Sequence, residues 1–299
     1  MAGKQGLISF LNRVLCPDLL HVVDVGANPL GAPLYAPLMQ AGLAHVWGFE
    51  PNEEACARLR AQAGECLTVL DKAIGAPGGA RFHAYPASEM SSIYPLSAQS
   101  LGYLGHFKRH LGTQTQSEIT LHALDDLNEV PAIDLLKVDA QGAERDVIIG
   151  AKGKLAGAVA VVAEMRFYRL YEGEPDLWEL DKALRDQGFV LHRFLHQKAR
   201  MLGHSQRASV NPKTMASQLI DGDALYIRNL EDREKISDMQ LKKLALLAAG
   251  LFDSHDLVLW CLDELAARGG GARGLARDYV ALLPLGVKRD ENRKTSYGQ

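Results

Sequence analysis

Cysteine is scarce in this 299-residue chain, and its four thiols (Cys16, Cys56, Cys66 and Cys261) share no C-x-x-C spacing. That excludes a zinc ribbon and a disulfide framework, and suits a reducing compartment. Long apolar runs are missing too. No segment approaches the ~18 apolar residues of a membrane span, and the first twenty residues are broken by Asn12, Arg13, Pro17 and Asp18, so no signal-peptide core is present. The cytoplasm is therefore the expected location. A basic excess is also lacking: 33 Lys and Arg face 36 Asp and Glu, a net charge of −3. This removes nucleic acid as the expected partner, because phosphates need a cationic footprint. What is present, 47% apolar residues spread along the chain, is enough for a large globular core.

The apolar pattern alternates between two periods. The run His21-Val22-Val23-Asp24-Val25 reads as a buried strand opening into a tight turn at Gly26. A helical spacing over 33–42 follows, then a strand at 45–50, a helix from Pro51-Asn52 to about 63, and a strand at 66–70. Strand, helix, strand, helix, strand requires crossovers and a parallel sheet. Residues 75–128 are less regular, with short strands expected at 80–84 and 117–121 and a helix within 97–110. The alternation resumes with strands at 133–139 and 157–164, a helix at 175–187, and strands at 189–194 and 223–228. The expectation is a doubly wound α/β domain over 1–230, its core at about 18–230. Beyond it, helical spacing at Ile236, Leu244, Leu251, Leu257, Cys261 and Leu265 marks a helical appendage over 231–285, and 286–299 reads as a flexible tail.

The chemistry gathers at strand ends. Asp24-x-Gly26-Ala27-Asn28 lies where a doubly wound sheet receives a nucleotide. Glu50 ends the second strand, where a carboxylate accepts hydrogen bonds from ribose hydroxyls. The glycine fingerprint G-x-G-x-x-G is absent, because position 28 is Asn and Gly31 comes late. A pyrophosphate needs that second glycine for its close approach; a ligand with ribose and no phosphate does not. The pair of motifs favours S-adenosylmethionine over a nicotinamide dinucleotide.

Four segments taken in order, Val23-Asp24-Val25-Gly26-Ala27-Asn28, Gly48-Phe49-Glu50-Pro51-Asn52, Leu136-Lys137-Val138-Asp139-Ala140-Gln141-Gly142-Ala143-Glu144 and Leu170-Tyr171-Glu172-Gly173, resemble the FkbM family of S-adenosylmethionine-dependent methyltransferases over about residues 20–230. The resemblance implies the class I methyltransferase fold, a Rossmann-like seven-stranded sheet, mostly parallel with one antiparallel strand near its edge. It also implies O-methylation of a hydroxyl on a sugar, glycan or natural product. Carried over by residue, it places Asp24, Gly26, Ala27 and Asn28 against the methionine part of the cofactor, and Glu50 with Pro51 at the ribose. Asp71, Lys72 and Ala73 border the adenine, and Ser91-Ser92 approach from the irregular region. The family more often reads Gly-Ala-Asn-x-Gly; here Pro29-Leu30-Gly31 lengthens the first loop.

Methyl transfer requires a nucleophile aligned with an activated methyl group and somewhere for its proton to go. Asp139, at the end of the fourth strand of the alternation, is the first candidate. It could orient the acceptor hydroxyl, remove its proton, or bind the cofactor's amino group. Glu164 is the second candidate base, while Glu144 suits the first turn of a helix as well as a site. Arg166, Tyr168 and Tyr171 form an aromatic and charged loop suited to a hydroxyl-rich acceptor, and Tyr35 joins them as a substrate contact; packing within a lid is the alternative for the tyrosines. His106 and His110 stand four apart, but Lys108 and Arg109 between them indicate a solvated basic face, and no metal is expected. Lys198, Arg200, His204, Arg207 and Lys213, assigned to a loop over 197–221, hint at an acidic or carrier-bound acceptor. Two other classes remain open: a nicotinamide-dependent oxidoreductase, and a non-catalytic cofactor-binding protein that assembles as a homo-oligomer through its C-terminal helices.

Overall fold

The structure, a computed structural model, describes residues 3–27, 31–105, 112–270 and 273–288. In chain order its elements are α1 (Lys4–Leu15), β1 (Leu20–Val25), α2 (Ala36–Gln40), β2 (Ala44–Phe49), α3 (Glu53–Gln62), β3 (Leu67–Leu70), β4 (Ala73–Ile74), β5 (Gly78–Ala84), α4 (Ala98–Leu104) and β6 (Thr115–His122). They continue with β7 (Leu135–Val138), α5 (Glu144–Ile149), β8 (Ala160–Arg166), α6 (Leu177–Arg185), β9 (Phe189–Arg200), β10 (Gln218–Arg228), α7 (Asp238–Leu247), α8 (His255–Ala267) and α9 (Leu275–Leu282). The contacts divide the chain into two compact units. One is α/β and comprises the described residues of 21–31 and 45–231. The other is helical, made of the described residues of 1–20, 32–44 and 232–299. The helical unit thus takes in the chain's first helix and its first crossover as well as the segment beyond 231.

The main sheet has seven strands in the order β3-β2-β1-β7-β8-β10-β9. The pairs β2–β3, β1–β7 and β7–β8 are parallel, and β10 runs antiparallel to both β8 and β9. This is the doubly wound, Rossmann-like, mostly parallel sheet expected from the sequence. The chain leaves β1 toward β2 and β3 on one side and returns at β7 on the other, so the switch point lies between β1 and β7.

One face of the sheet is apolar. Val23, Val25, Leu136, Val138, Val161, Ala163 and Met165 pack there with Val147 and Ile148 of α5 and Leu180 and Leu184 of α6. A capping box between Asp176 and Glu179 starts α6, and the N-terminus of α3 is capped by Asn52, whose side chain accepts the Ala55 N–H. The opposite face carries, by strand register, Asp24 opposite Lys137 and Glu164 opposite Asp223. Side chains alternate across a strand, so these four charged groups share a face near the carboxyl ends of the parallel strands β1, β7 and β8.

The structure departs from the sequence reading in several elements. The strands expected at 80–84 and 117–121 form, but they pair with each other as β5 and β6 in a separate three-stranded sheet, order β4-β6-β5. β9 and β10 extend well past their expected ends, so Lys198 and Arg200 belong to a strand rather than a loop. α1 had no counterpart in the sequence reading. Leu7, Ile8, Leu11 and Leu15 form its buried stripe, and of the residues that interrupt a signal-peptide core Asn12 and Arg13 lie outside that stripe, while Pro17 and Asp18 follow the helix. The expected helix over 97–110 is α4 as far as Leu104; His106, Lys108, Arg109 and His110 lie outside the described residues, as does most of the expected tail.

Within the helical unit, Ile8 and Leu38 lie close against Gly250, where a Cβ would meet them at 3.1–3.4 Å. Ser237 and Gln240 form the capping box of α7. Among the described residues no helix is long and apolar enough to cross a membrane.

Candidate active site

β1 ends in a turn that only glycine fits. Gly26 has φ +81°, and a Cβ there would lie 2.1 Å from the backbone oxygen of Asp139. The turn is pinned on both sides: the N–H groups of Gly26 and Ala27 both donate to the Phe49 carbonyl at the end of β2, and the Asp139 N–H donates to the Val25 carbonyl at 3.0 Å. The carboxyl ends of β1, β2 and β7 are thereby locked together at the switch point. Glu50 follows β2, and its Oε1 accepts the Asn52 N–H at 2.8 Å. Burial raises its pKa, and the charge of Asp24 adds to this against the opposing Asn52 N–H and Arg58.

Beneath the loop Asp24 is buried and accepts a hydrogen bond from Lys137 Nζ at 2.9 Å. Burial opposes the Lys137 charge, but Asp24, Asp139 and Asp223 outweigh it and hold the ammonium protonated beyond its usual range.

After β7 the chain turns through Asp139-Ala140-Gln141-Gly142, with Gln141 at φ +49° and Gly142 at φ +103°. Glu144, in the first turn of α5, folds back over this turn, its carboxylate accepting the N–H groups of Ala140 and Gly142 at 2.8–3.1 Å. Burial and the charge of Asp139 push the Glu144 carboxyl up to about 7 despite Arg166. Gln141 sits at the centre. Its Nε2 donates to Asp139 Oδ1 at 2.6 Å and to Glu164 Oε2 at 3.0 Å. Its Oε1 lies 2.9 Å from the Tyr171 hydroxyl and 3.3 Å from Arg166 Nη2. Its backbone carbonyl accepts the Ser92 hydroxyl at 2.6 Å.

Arg166 is the buried counter-charge. Its Nη2 donates to Glu164 at 2.9 Å and its Nη1 to Asp221, the cross-strand partner, at 3.2 Å, while Nε faces Glu174 at 3.5 Å. Burial opposes its charge, yet Glu164, Tyr171, Glu174 and Glu144 keep it protonated. The carboxylates around it outnumber the cations. Burial raises Glu164 well above the usual range, helped by Asp139 and Glu144 and opposed by Arg166. Glu174, which accepts the N–H groups of Leu170 and Tyr171, is also raised by burial.

Oxygens of Asp139, Glu144 and Glu164 lie within 4.8 Å of one another, a spacing a cation could bridge. The donors already present argue otherwise. The Gln141 amide points N–H bonds at two of the three, and backbone N–H groups take the third. A metal prefers carboxylates whose lone pairs face it.

With this geometry in place, comparison with known proteins is decisive. Residues 24–191 match the family described as "Methyltransferase FkbM domain". The chain belongs to the FkbM methyltransferase family. It is 28% identical over 176 residues, 56% of its own length and 70% of the relative's, to the 2-O-methyltransferase NoeI of Sinorhizobium fredii (strain NBRC 101917 / NGR234). Among solved structures it is similar to a precorrin-6y C5,15-methyltransferase from Geobacter metallireducens GS-15, with 11% identity, TM-score 0.35, and coverage of 77% of this chain and 91% of that one. Another is a magnesium protoporphyrin IX methyltransferase from Synechocystis PCC 6803 with bound SAM, with 14% identity, TM-score 0.36, and coverage of 76% and 79%.

This FkbM methyltransferase uses S-adenosylmethionine, and the nicotinamide reading is not favoured. The residues present fit that cofactor. The Gly26 turn keeps side chains away from the strand end, and a half-buried carboxylate stands at the end of β2.

The structure sorts the individual expectations. Asp139, Glu164 and Arg166 come together around Gln141, with Glu144 beside them. Arg166 and Tyr171 do not present themselves to an acceptor: both are buried, the guanidinium among carboxylates and the phenol on Gln141 and the Met90 carbonyl. Ser92 is likewise buried, its hydroxyl donating to Gln141 and accepting the Tyr94 N–H. Asp24 supports the loop from below. Tyr35 is buried in the helical unit, whereas Tyr168 stacks on the half-exposed Tyr103 at 5.3 Å.

Pro51 is exposed, Lys72 pairs with Glu129, and Ala73 opens β4. Asn28 lies outside the described residues. Lys198, expected in a basic loop, pairs with Asp221 at 3.2 Å. Sequence reasoning gave no role to Gln141, Lys137 or Glu174. The first two lie inside a quoted motif, where their neighbours Asp139 and Glu144 drew the attention.

Proposed function

We propose that this methyltransferase O-methylates a hydroxyl of a sugar, glycan or hydroxylated natural product, and that Asp139 orients the hydroxyl and takes its proton. The observation that carries this reading is the position of Asp139. It stands at the β1/β7 switch point, against the Gly26 turn, with its carboxylate held by the Gln141 amide. The similarity to a 2-O-methyltransferase supports a hydroxyl acceptor.

When bound, the cofactor supplies a methyl group already activated on a sulfonium. The chain's own residues do the rest. Glu50, oriented by the Asn52 N–H, accepts the ribose hydroxyls, and Lys72 and Ala73 border the base. The Gly26 turn admits the methionine end against the backbone. Asp139 faces the acceptor and holds its proton, a role in which a positioned carboxylate contributes typically about 100- to 10,000-fold. Glu164 is less suited to it, because burial favours its protonated form and Arg166 with Gln141 already occupies it. The Tyr103–Tyr168 pair, part of the residues that follow β8 and line α4, offers an apolar face for a sugar ring.

The test is transfer of radiolabelled methyl from S-adenosylmethionine to a panel of free sugars, glycolipids, phenols and amines, with wild type and Asp139→Asn. The reading expects methylation of hydroxyl acceptors, an at least 100-fold loss in the variant, and unchanged S-adenosylhomocysteine affinity. Methylation confined to amines, or full turnover by Asp139→Asn, would contradict it.

A further inference from the structure

We infer that Gln141 is a positioning residue, whose side-chain amide sets the direction of the Asp139 carboxylate and keeps it apart from Glu164. The inference rests on the reading of Asp139 as the group that meets the acceptor.

Three independent features of the geometry carry it. First, every polar atom of the side chain has a partner, and the partners fix which way round the amide lies. Arg166, which can only donate, faces Oε1, so Nε2 must face Asp139 and Glu164. Second, the backbone of Gln141 is in the left-handed region at φ +49°. A residue with a Cβ is disfavoured there by roughly 1–2 kcal/mol, and such strain persists where the surroundings over-determine it. A turn needing only that backbone would be served better by glycine, as Gly142 and Gly26 already are. Third, the Ser92 hydroxyl holds the Gln141 carbonyl, so both backbone and side chain are anchored while the residue reaches across to a different strand end.

The consequence for Asp139 is directional. Lys137 and Arg166 are the cations in its surroundings, with Glu144, Glu164 and Asp223 the acids, and His196 beside Asp223. A carboxylate among so many acids turns toward whichever donor is nearest. The Gln141 N–H at 2.6 Å from Oδ1 supplies that donor. The amide also lies between Asp139 and Glu164, so the two do not need to share a proton directly. Gln141 touches neither cofactor nor acceptor in this role; it acts through Asp139.

Gln141→Gly is the decisive variant, because glycine accepts the backbone conformation and removes only the amide. Crystal structures of wild type and variant, methyl-transfer kinetics with the hydroxyl acceptor found in the panel, S-adenosylhomocysteine titration and melting curves are compared. The expected result is a rotated Asp139 carboxylate and a kcat lowered roughly 10- to 100-fold, with KM for S-adenosylmethionine and S-adenosylhomocysteine affinity unchanged. Tyr171→Phe, which removes the phenolic oxygen 2.9 Å from Oε1 and leaves both carboxylates intact, shows the same changes at smaller size.

A Gln141→Gly enzyme with Asp139 in the same rotamer and wild-type kcat would overturn the inference, while leaving the role of Asp139 standing if Asp139→Asn is still impaired. A lowered melting point without rotation of Asp139 would also overturn it, assigning Gln141 to the fold alone. Full turnover by Asp139→Asn removes the reading and the inference together, and so is distinguishable from the failure of Gln141 by itself.

Discussion

Replacing Gly26 by alanine tests how the switch point is built. The new methyl group would sit 2.1 Å from the Asp139 carbonyl oxygen and 3.0 Å from its carbon, well inside contact. Neither side can yield freely, because the Asp139 N–H is bonded to Val25 and the Gly26 N–H to Phe49. Two costs therefore combine. The left-handed conformation costs a Cβ roughly 1–2 kcal/mol, and forcing a methyl into a packed site costs roughly another 1–3 kcal/mol. Gly173 separates them. It has the same φ of +81°, but its nearest neighbour, a ring carbon of Tyr94, would be 3.9 Å from the added Cβ. Gly173→Ala should show the conformational cost alone. At roughly 2–4 °C per kcal/mol for a domain of this size, Gly26→Ala should melt about 2–12 °C below Gly173→Ala. It should also lose S-adenosylhomocysteine binding by calorimetry, because β1 and β7 must part. Equal melting points and wild-type affinity in Gly26→Ala would refute the steric reasoning.

The remaining expectations concern charge. Glu50→Gln should weaken S-adenosylmethionine binding about 10- to 100-fold, the worth of hydrogen bonds to a charged group, and an affinity within twofold of wild type by calorimetry would remove Glu50 from the ribose. Lys137→Met leaves Asp24 buried without its cation and should cost roughly 3–5 kcal/mol in denaturant melts, much of it recovered by adding Asp24→Asn; no recovery would show that Lys137 acts elsewhere. Glu144 binds its proton more tightly in the folded chain, at about 7, than in the unfolded chain. The folded state then holds more protons over about pH 4.5 to 7, so stability from this group is greatest below that window and falls as pH rises through it. The shift corresponds to about 3 kcal/mol at 1.36 kcal/mol per unit. Glu144→Gln should flatten that fall, and a wild-type slope in the variant would assign it to Glu164 and Glu174.

The sequence made the strand ends legible because their signals are local. A β-branched run followed by Asp-x-Gly reports a strand and its turn in a few residues, and Glu50, Asp139 and Glu164 each end or follow such a run. The place of the switch point, between β1 and β7, came only from the strand order. What stayed hidden depends on distant pairing. The strands at 80–84 and 117–121 look alike whether they join the main sheet or each other, and only the pairing of β6 with β5 and β4 decides. Arg166 and Tyr171 read as acceptor contacts because loop position suggests exposure; their burial comes from Glu174, Asp221 and Met90, which no sequence spacing brings near. Ser92 and Gln141 find each other across 49 positions. The extra length of β9 and β10 was masked by basic residues that resemble a solvated loop; the antiparallel register of Lys198 with Asp221 and Arg200 with Gln218 shows a strand.

Co-crystallisation with S-adenosylhomocysteine tests the placement of the reaction most directly. The ribose hydroxyls should lie on Glu50, the methionine end against the Gly26 turn, and the thioether sulfur facing Asp139 at the carboxyl ends of β1 and β7. A ligand bound away from the β1/β7 switch point, or one whose sulfur is turned away from Asp139, would contradict it.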